Sequence, residues 1–151
     1  MLFESVPLEG KTGHEAGRQL LKKLCGDREI AVTERGKPYF KDSPLQFSIS
    51  HSPSRAFCAV SDFPVGIDAE ELGRNINLRL ADKILSPTEK TLFDAAADKR
   101  LTLLKFWVLK EAYYKATGEG LRGYPNKTDF SPDDPRVLIH EGHIVAIIEM
   151  R

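Results

Sequence analysis

Trp107, Glu111 and Lys115 recur every four residues within 103–121 (LLKFWVLKEAYYKATGEGL), and this spacing constrains the fold more than any other feature of the chain. At helical pitch the three share one stripe, so a large ring, a carboxylate and an ammonium stack along a single face. Lys110 lies beside that stripe. Gly118 supplies a stop, because glycine accepts the left-handed backbone that ends many helices. Taken alone, the spacing describes a buried tryptophan next to an ordinary helical Glu–Lys pair. Two other stretches change that weighing.

Ahead of this segment the chain alternates between helix and strand signals. Thr12-Gly-His-Glu15 has the form of a capping box, and Ala16, Leu20, Leu21 and Leu24 extend it as an apolar stripe ending at Gly26. Residues 29–33 read as a short strand and Arg35-Gly-Lys-Pro38 as a turn. From Leu45 the period changes to two, with Leu45, Phe47 and Ile49 facing one way and Gln46, Ser48 and Ser50 the other. Such a half-buried strand delivers Ser50 and His51 at its C-terminal end. Ser52-Pro-Ser54 turns the chain into a strand at 56–60, and Asp62-Phe-Pro64 turns it into another at 65–70.

Beyond Gly73 the signals become helical. Residues 78–85 form one candidate, Ser86-Pro-Thr-Glu89 opens a second, and a break at 98–100 precedes the Trp107 helix. Residues 120–134 are rich in loop formers, and 137–150 read as a hairpin about Glu141-Gly142. Groups of strands alternating with groups of helices indicate a mixed α/β architecture.

With 151 residues, 41% of them hydrophobic, the chain can bury one sizeable core, so a single domain spanning 1–151 is expected. Its 22 basic and 22 acidic residues cancel, leaving no global field toward nucleic acid or an anionic membrane. Neither is expected as a partner. Cys25 and Cys58 lie in apolar surroundings without metal-ligand spacing, which fits structural thiols in a reducing compartment. No apolar run approaches membrane length and no leader-like segment opens the chain, so a cytoplasmic protein is expected.

In Val65-Gly-Ile-Asp68-Ala-Glu70, a strand places Asp68 and Glu70 on one face, with Ile67 and Ala69 on the other. Two adjacent carboxylates repel unless a cation or proton stands between them, and hard divalent cations such as Mg²⁺ take oxygen ligands. An Asp-x-Glu alone reads more readily as the polar face of an edge strand. Glu111 adds a third carboxylate if the fold brings it near. Ser50-His51-Ser52 ends a strand in a turn, where His51 either reaches a phosphate or simply caps the strand end. Gly36-Lys37-Pro38 offers a cation and backbone amides to phosphate, although such turns are common. Gly118-Glu-Gly-Leu-Arg-Gly123 matches a dinucleotide-binding glycine spacing but follows a helix and opens none. His140 and His143 face each other across the terminal turn; without a third ligand they read as surface residues.

Four motifs occur in order: Gly36-Lys37-Pro38, Phe47-Ser-Ile-Ser-His51-Ser52, Val65-Gly-Ile-Asp68-Ala-Glu70, and Phe106-Trp107-Val-Leu-Lys110-Glu111-Ala-Tyr-Tyr-Lys115-Ala-Thr-Gly118. Together, over about residues 11–121, they resemble the 4′-phosphopantetheinyl transferase superfamily. The Ser-His motif, and some sixty-four residues ahead of the Gly-Ile-Asp motif, resemble the larger, pseudo-dimeric type in a shortened form. The resemblance implies an α+β fold of antiparallel sheets packed with helices in two pseudo-symmetric halves, about 1–66 and 67–151, acting as a monomer. It also implies Mg²⁺-dependent transfer of the phosphopantetheine arm of coenzyme A to a serine of an acyl or peptidyl carrier protein, releasing adenosine 3′,5′-bisphosphate.

On that resemblance the catalytic set is Glu111, Lys115 and Asp68. Asp68, Glu70 and Glu111 hold Mg²⁺ on the diphosphate, and Glu111 is also the base for the serine proton. Lys115 and Lys110 reach the phosphates, Ser50 and His51 bind the diphosphate or the 3′-phosphate, and Lys37 binds the nucleotide end. Arg18, on the first helix, falls near the 3′-phosphate. Trp107 packs to fix its helix. An acidic carrier requires a local basic patch, and Arg74, Arg79 and Lys83 offer one unless they merely solvate a helix face. From another class comes a non-catalytic coenzyme A- or carrier-protein-binding module on the same fold. Three carboxylates facing a diphosphate favour the enzyme, since a pure binder has little use for them. A metal-dependent phosphohydrolase lacks any further His or Asp cluster.

Overall fold

In a computed structural model, which describes residues 1–119 and 127–151, two three-stranded antiparallel sheets lie between two helices. The chain runs β1 (Leu2–Pro7), α1 (Gly13–Cys25), β2 (Ile30–Val32), β3 (Pro38–Phe40), β4 (Gln46–His51), β5 (Arg55–Ser61) and β6 (Val65–Glu71). A 3₁₀ turn at Leu78–Leu80 leads to α2 (Ala81–Ile84), α3 (Pro87–Ala95), α4 (Lys99–Thr117), β7 (Val137–His140) and β8 (His143–Glu149). The first sheet has the order β1-β5-β4, the second β6-β8-β7, and β2 and β3 pair as a separate small hairpin. Asp68 stands opposite Ala146, and Ser50 opposite Phe57.

Strand alternation sets the layers. Leu20 and Leu21 of α1 pack on Phe47, Cys58 and Val60, which share the outer face of the first sheet. Phe57 and Ala59 point the other way and meet Val65, Ile67, Ala69, Val145 and Ile147 in a core between the sheets. The outer face of the second sheet, with Ile144, Ala146 and Ile148, is covered by Phe106, Leu109 and Ala112 of α4. Ser48 and Ser50, the polar face of β4, are therefore buried and turned toward β6 rather than toward water.

Local chemistry sets the helix ends. Thr12 Oγ1 accepts from the Glu15 amide at 3.1 Å, and Gly26 (φ 78°) closes α1. Ser86 and Glu89 form a complete, reciprocal capping box with Pro87 in the first turn of α3. Asp98 caps α4 through the Leu101 amide, and Gly118 (φ 78°) ends it. The expected break at 98–100 is thus only the cap, with Lys99 and Arg100 already helical.

Other differences have physical reasons. β1 pairs along β5 although its sequence, LFESVP, lacks clean alternation. β3 begins at Pro38 inside what reads as a turn, a pairing of three residues that carries little periodic signal. The helix at 78–85 splits into a 3₁₀ turn and one α-turn between the Asn77 cap and the extended Leu85. His143 is not on the surface. It is 3% exposed, its Nε2 lies 2.7 Å from Ser52 Oγ, and its ring packs on Phe57. The glycine motif at 118–123 runs from the α4 stop into 120–126, outside the described residues. Among the described residues no helix is long and apolar enough to cross a membrane.

Gly66 fixes how closely α4 approaches β6. A Cβ there would lie 1.8 Å from the Ala112 carbonyl oxygen and 2.6 Å from the Ala116 nitrogen, both helix backbone that cannot step aside. Gly66→Ala is expected to cost at least about 3 kcal/mol in urea unfolding, from overpacking. Gly73→Ala, whose Cβ would meet nothing within 4 Å, is expected to stay within about 0.5 kcal/mol of the parent.

Candidate active site

The α4-facing side of β6 carries Gly66, Asp68 and Glu70, because alternate residues of a strand share a face. Glycine lets the helix come close, and the two carboxylates then meet side chains of α4. Asp68 is 7% exposed. Its Oδ1 receives the Lys115 ammonium at 3.3 Å and the Ser50 hydroxyl at 3.3 Å, while its Oδ2 is buried with no hydrogen-bond partner among the described residues. Burial pushes the Asp68 carboxyl up to about 6, opposed by Lys115 and reinforced by the Glu70 charge.

Glu70 is held at one oxygen by two side chains. Trp107 Nε1 donates to Oε1 at 3.2 Å, and Arg74 Nη1 forms an ion pair with the same atom at 2.7 Å, with the guanidinium carbon 5.7 Å from the indole centroid. Trp107 therefore positions a carboxylate as well as packing its helix. Glu111, one turn further along the stripe, is half-buried. Desolvation, with the Asp68 and Glu70 charges adding to it and Lys115 and Arg74 opposing, raises its carboxyl to about 7. The three carboxylates are thus one electrostatic group, partly offset by two cations. Among the described residues, no three His, Cys, Asp or Glu side chains stand arranged as a finished ion cage. Glu70 is turned to Arg74 and Trp107, and Asp68 Oδ1 to Lys115.

The other expected residues divide. Lys37 joins the group's flank. Its Nζ donates to the Ala116 carbonyl at 2.9 Å, burial lowers its pKa, and it faces Lys115 across a pocket of about 240 Å³ lined also by Pro38, Phe47, Ile49 and Tyr114. His51 is exposed at the end of β4, its ring so close over Gly13 that a Cβ there would lie 2.2 Å from Cγ. Ser50 is buried and committed: Oγ accepts from the Ala69 amide at 3.2 Å and donates to Asp68, so it positions the carboxylate. Arg18 lines a different surface recess with Lys22, Asp27, Arg28 and Phe40, and shares no residue with the Lys37–Lys115 pocket.

Lys110 is engaged with partners outside the acidic group. It is 1% exposed, and its Nζ lies 2.7 Å from Glu89 Oε1 and 2.8 Å from the Thr128 carbonyl oxygen. Burial lowers its pKa while Glu89 works the other way. Adjacent residues on a helix point about 100° apart, so Lys110 and Glu111 serve different sides of α4. Arg74 was legible only as surface charge and Glu89 only as a capping residue; neither motif announces the contact with α4, to the Trp107 ring and to Lys110 respectively.

Residues 64–144, just over half the chain, match the family model described as "4′-phosphopantetheinyl transferase superfamily". The chain belongs to that superfamily. It is 35% identical over 122 residues to 4′-phosphopantetheinyl transferase HetI of Nostoc sp., covering 70% of this chain and 52% of that protein. To the 4′-phosphopantetheinyl transferase of Bacillus subtilis it is 37% identical over 95 residues, covering 61% of this chain and 42% of that one. The crystal structure of Thermotoga maritima holo-[acyl-carrier-protein] synthase shows similarity at a TM-score of 0.47 and 27% identity, over 56% of this chain and 61% of that one. The chain spans about half the length of the curated relatives it matches. The family match contains Asp68, Glu70, Glu111 and Lys115, while Lys37, Ser50 and His51 precede it.

Both raised carboxyls make stability depend on pH. A carboxyl whose folded pKa lies above its unfolded value favours folding fully below the unfolded value, and that contribution is lost as pH rises through the folded one. In metal-free buffer, the melting temperature is therefore expected to fall between pH 5 and pH 8, through the values near 6 and 7. Asp68→Asn/Glu111→Gln should flatten that slope in a thermal scan. Lys110→Met strands Glu89 in the core and is expected to cost ~3–5 kcal/mol in urea, with much of it recovered in Glu89→Gln/Lys110→Met.

Proposed function

We propose that this chain transfers the 4′-phosphopantetheine group of coenzyme A to a serine of an acyl or peptidyl carrier protein, with Mg²⁺ required and adenosine 3′,5′-bisphosphate released. One observation carries the reading: Asp68, a carboxylate buried against α4, whose Oδ2 lacks a partner among the described residues. A buried acceptor left unpaired costs free energy, and here that cost is relieved by a proton or a cation. The donor set is carboxylate oxygen, which suits a hard ion such as Mg²⁺, and Asp68, Glu70 and Glu111 would hold it. When bound, the ion neutralises charge on the diphosphate and orients it.

The chain's own residues account for the remaining roles. In the transfer, the serine oxygen bonds to the β-phosphorus of coenzyme A, the bond from that phosphorus to the oxygen bridging the two phosphates breaks, and the serine proton leaves. Glu111, half-buried on the same stripe as Lys115, accepts that proton. Lys115 Nζ, already on Asp68, stabilises charge on the transferring and departing phosphates. Lys37 lines the pocket shared with Lys115 and meets the nucleotide end, and His51 meets the 3′-phosphate from the exposed end of β4. Ser50 acts through Asp68 rather than on the ligand. Exposed Arg79 and Lys83 suit docking of an acidic carrier.

Incubation of apo carrier proteins with the chain, coenzyme A and Mg²⁺, read by mass spectrometry, tests this. The parent is expected to add one phosphopantetheine per carrier, while Asp68→Asn and Glu111→Gln lower the rate at least about 10²-fold. Undiminished loading in either variant refutes the site. Coenzyme A binding by calorimetry with no mass change on any carrier replaces the enzyme by a binding module.

A further inference from the structure

Glu70 Oε1 is engaged already on two sides, accepting from the Trp107 indole N–H and lying 2.7 Å from the Arg74 guanidinium in an ion pair. A divalent cation taking this oxygen must expel one of them. The indole is neutral, whereas the guanidinium repels the incoming charge at close range, so the guanidinium is the group that leaves. Arg74 is free to do so, since 38% of its side chain is exposed to water. The backbone beneath it is not. Arg100 Nη1 donates to the carbonyls of Leu72 (2.6 Å) and Arg74 (3.1 Å), and the Arg74 amide donates to Glu71 O at 2.9 Å. The exchange is therefore a side-chain rotation that leaves β6 and its carboxylates in place.

We propose that Arg74 is a built-in counter-ion of Glu70, displaced when a divalent cation binds, and that it sets the threshold concentration for that binding. The proposal rests on the reading of Asp68, Glu70 and Glu111 as the cation-holding group. It makes Arg74 a positioning residue: it keeps Glu70 extended along the α4 face while no ion is bound, and it lowers ion affinity by competing. A half-exposed pair of this kind sustains a competition of up to about five-fold in apparent affinity. Trp107 reports the event, because the departing guanidinium lies over its ring and the chain has one tryptophan, so no other indole contributes.

The test titrates Mg²⁺ into the whole chain, without and with coenzyme A, following Trp107 emission, with circular dichroism confirming each variant's fold. The parent is expected to show a saturable emission change. Arg74→Gln should start near the parent's ion-saturated emission, change little, and reach its midpoint by calorimetry at about five-fold lower Mg²⁺. Arg79→Gln removes the same charge from an exposed neighbour and should keep the parent's emission change and midpoint within about two-fold. An Arg74→Gln variant with the parent's midpoint and emission change overturns the counter-ion role and leaves the proposed function standing. Arg79→Gln matching Arg74→Gln also overturns it, because a general field would then suffice. A parent that responds to Mg²⁺ under neither condition overturns both readings.

Discussion

Where β4 meets β6, no strand pairing among the described residues joins the two sheets, and the rest of the structure depends on how that gap is closed. Both are edge strands whose facing N–H and C=O groups lie in the interior, where a group without a partner is costly. Ser48 Oγ takes the Ile67 amide at 3.1 Å and Ser50 Oγ the Ala69 amide at 3.2 Å. The carbonyls of Ile49 and Ile67 are met by one ammonium, Lys115 Nζ, at 3.4 and 2.9 Å. Side chains thus stand in for a ladder. They join the sheets while allowing them to diverge into separate layers with their own helices.

The same atoms build the site. Lys115 has three N–H donors, and the third goes to Asp68 Oδ1. Ser50 accepts from Ala69 and donates to the same carboxylate oxygen. Asp68 is therefore oriented by two of the three side chains that hold the sheets together, and it needs no loop to position it. The acidic group sits on rigid strand and helix, which is where precise placement of charge is easiest to maintain. Three carboxylates against two cations leave excess negative charge in a poorly solvated place, and Asp68 and Glu111 hold protons more tightly as a result.

Much of this was legible in the chain. The four-residue spacing of Trp107, Glu111 and Lys115 did describe one stripe, and the two-residue spacing of Asp68 and Glu70 did put them on the face that stripe covers. Thr12 and Ser86 opened helices because a hydroxyl before an exposed amide is a local solution that tertiary context seldom overrides. What escaped depends on distant partners. β1 is a strand only because β5 lies beside it, and the polar side of β4 reads as solvent-facing until the neighbouring edge is known. Lys110 differs from Lys115 by the direction it takes from the helix, a difference motif spacing does not carry. His143 reads as a turn residue until Ser52, 91 positions earlier, supplies its partner.

Glu89 shows how much one buried carboxylate can coordinate. Its Oε1 accepts from the Ser86 amide at 2.9 Å and from Lys110, and its Oε2 accepts from the Phe130 amide at 2.7 Å. The start of α3, the middle of α4 and the stretch that leads into β7 are thus tethered at a single point. These three pieces are bound to open and close together as one cooperative unit in hydrogen exchange, and their amides should share a common protection free energy rather than fray separately.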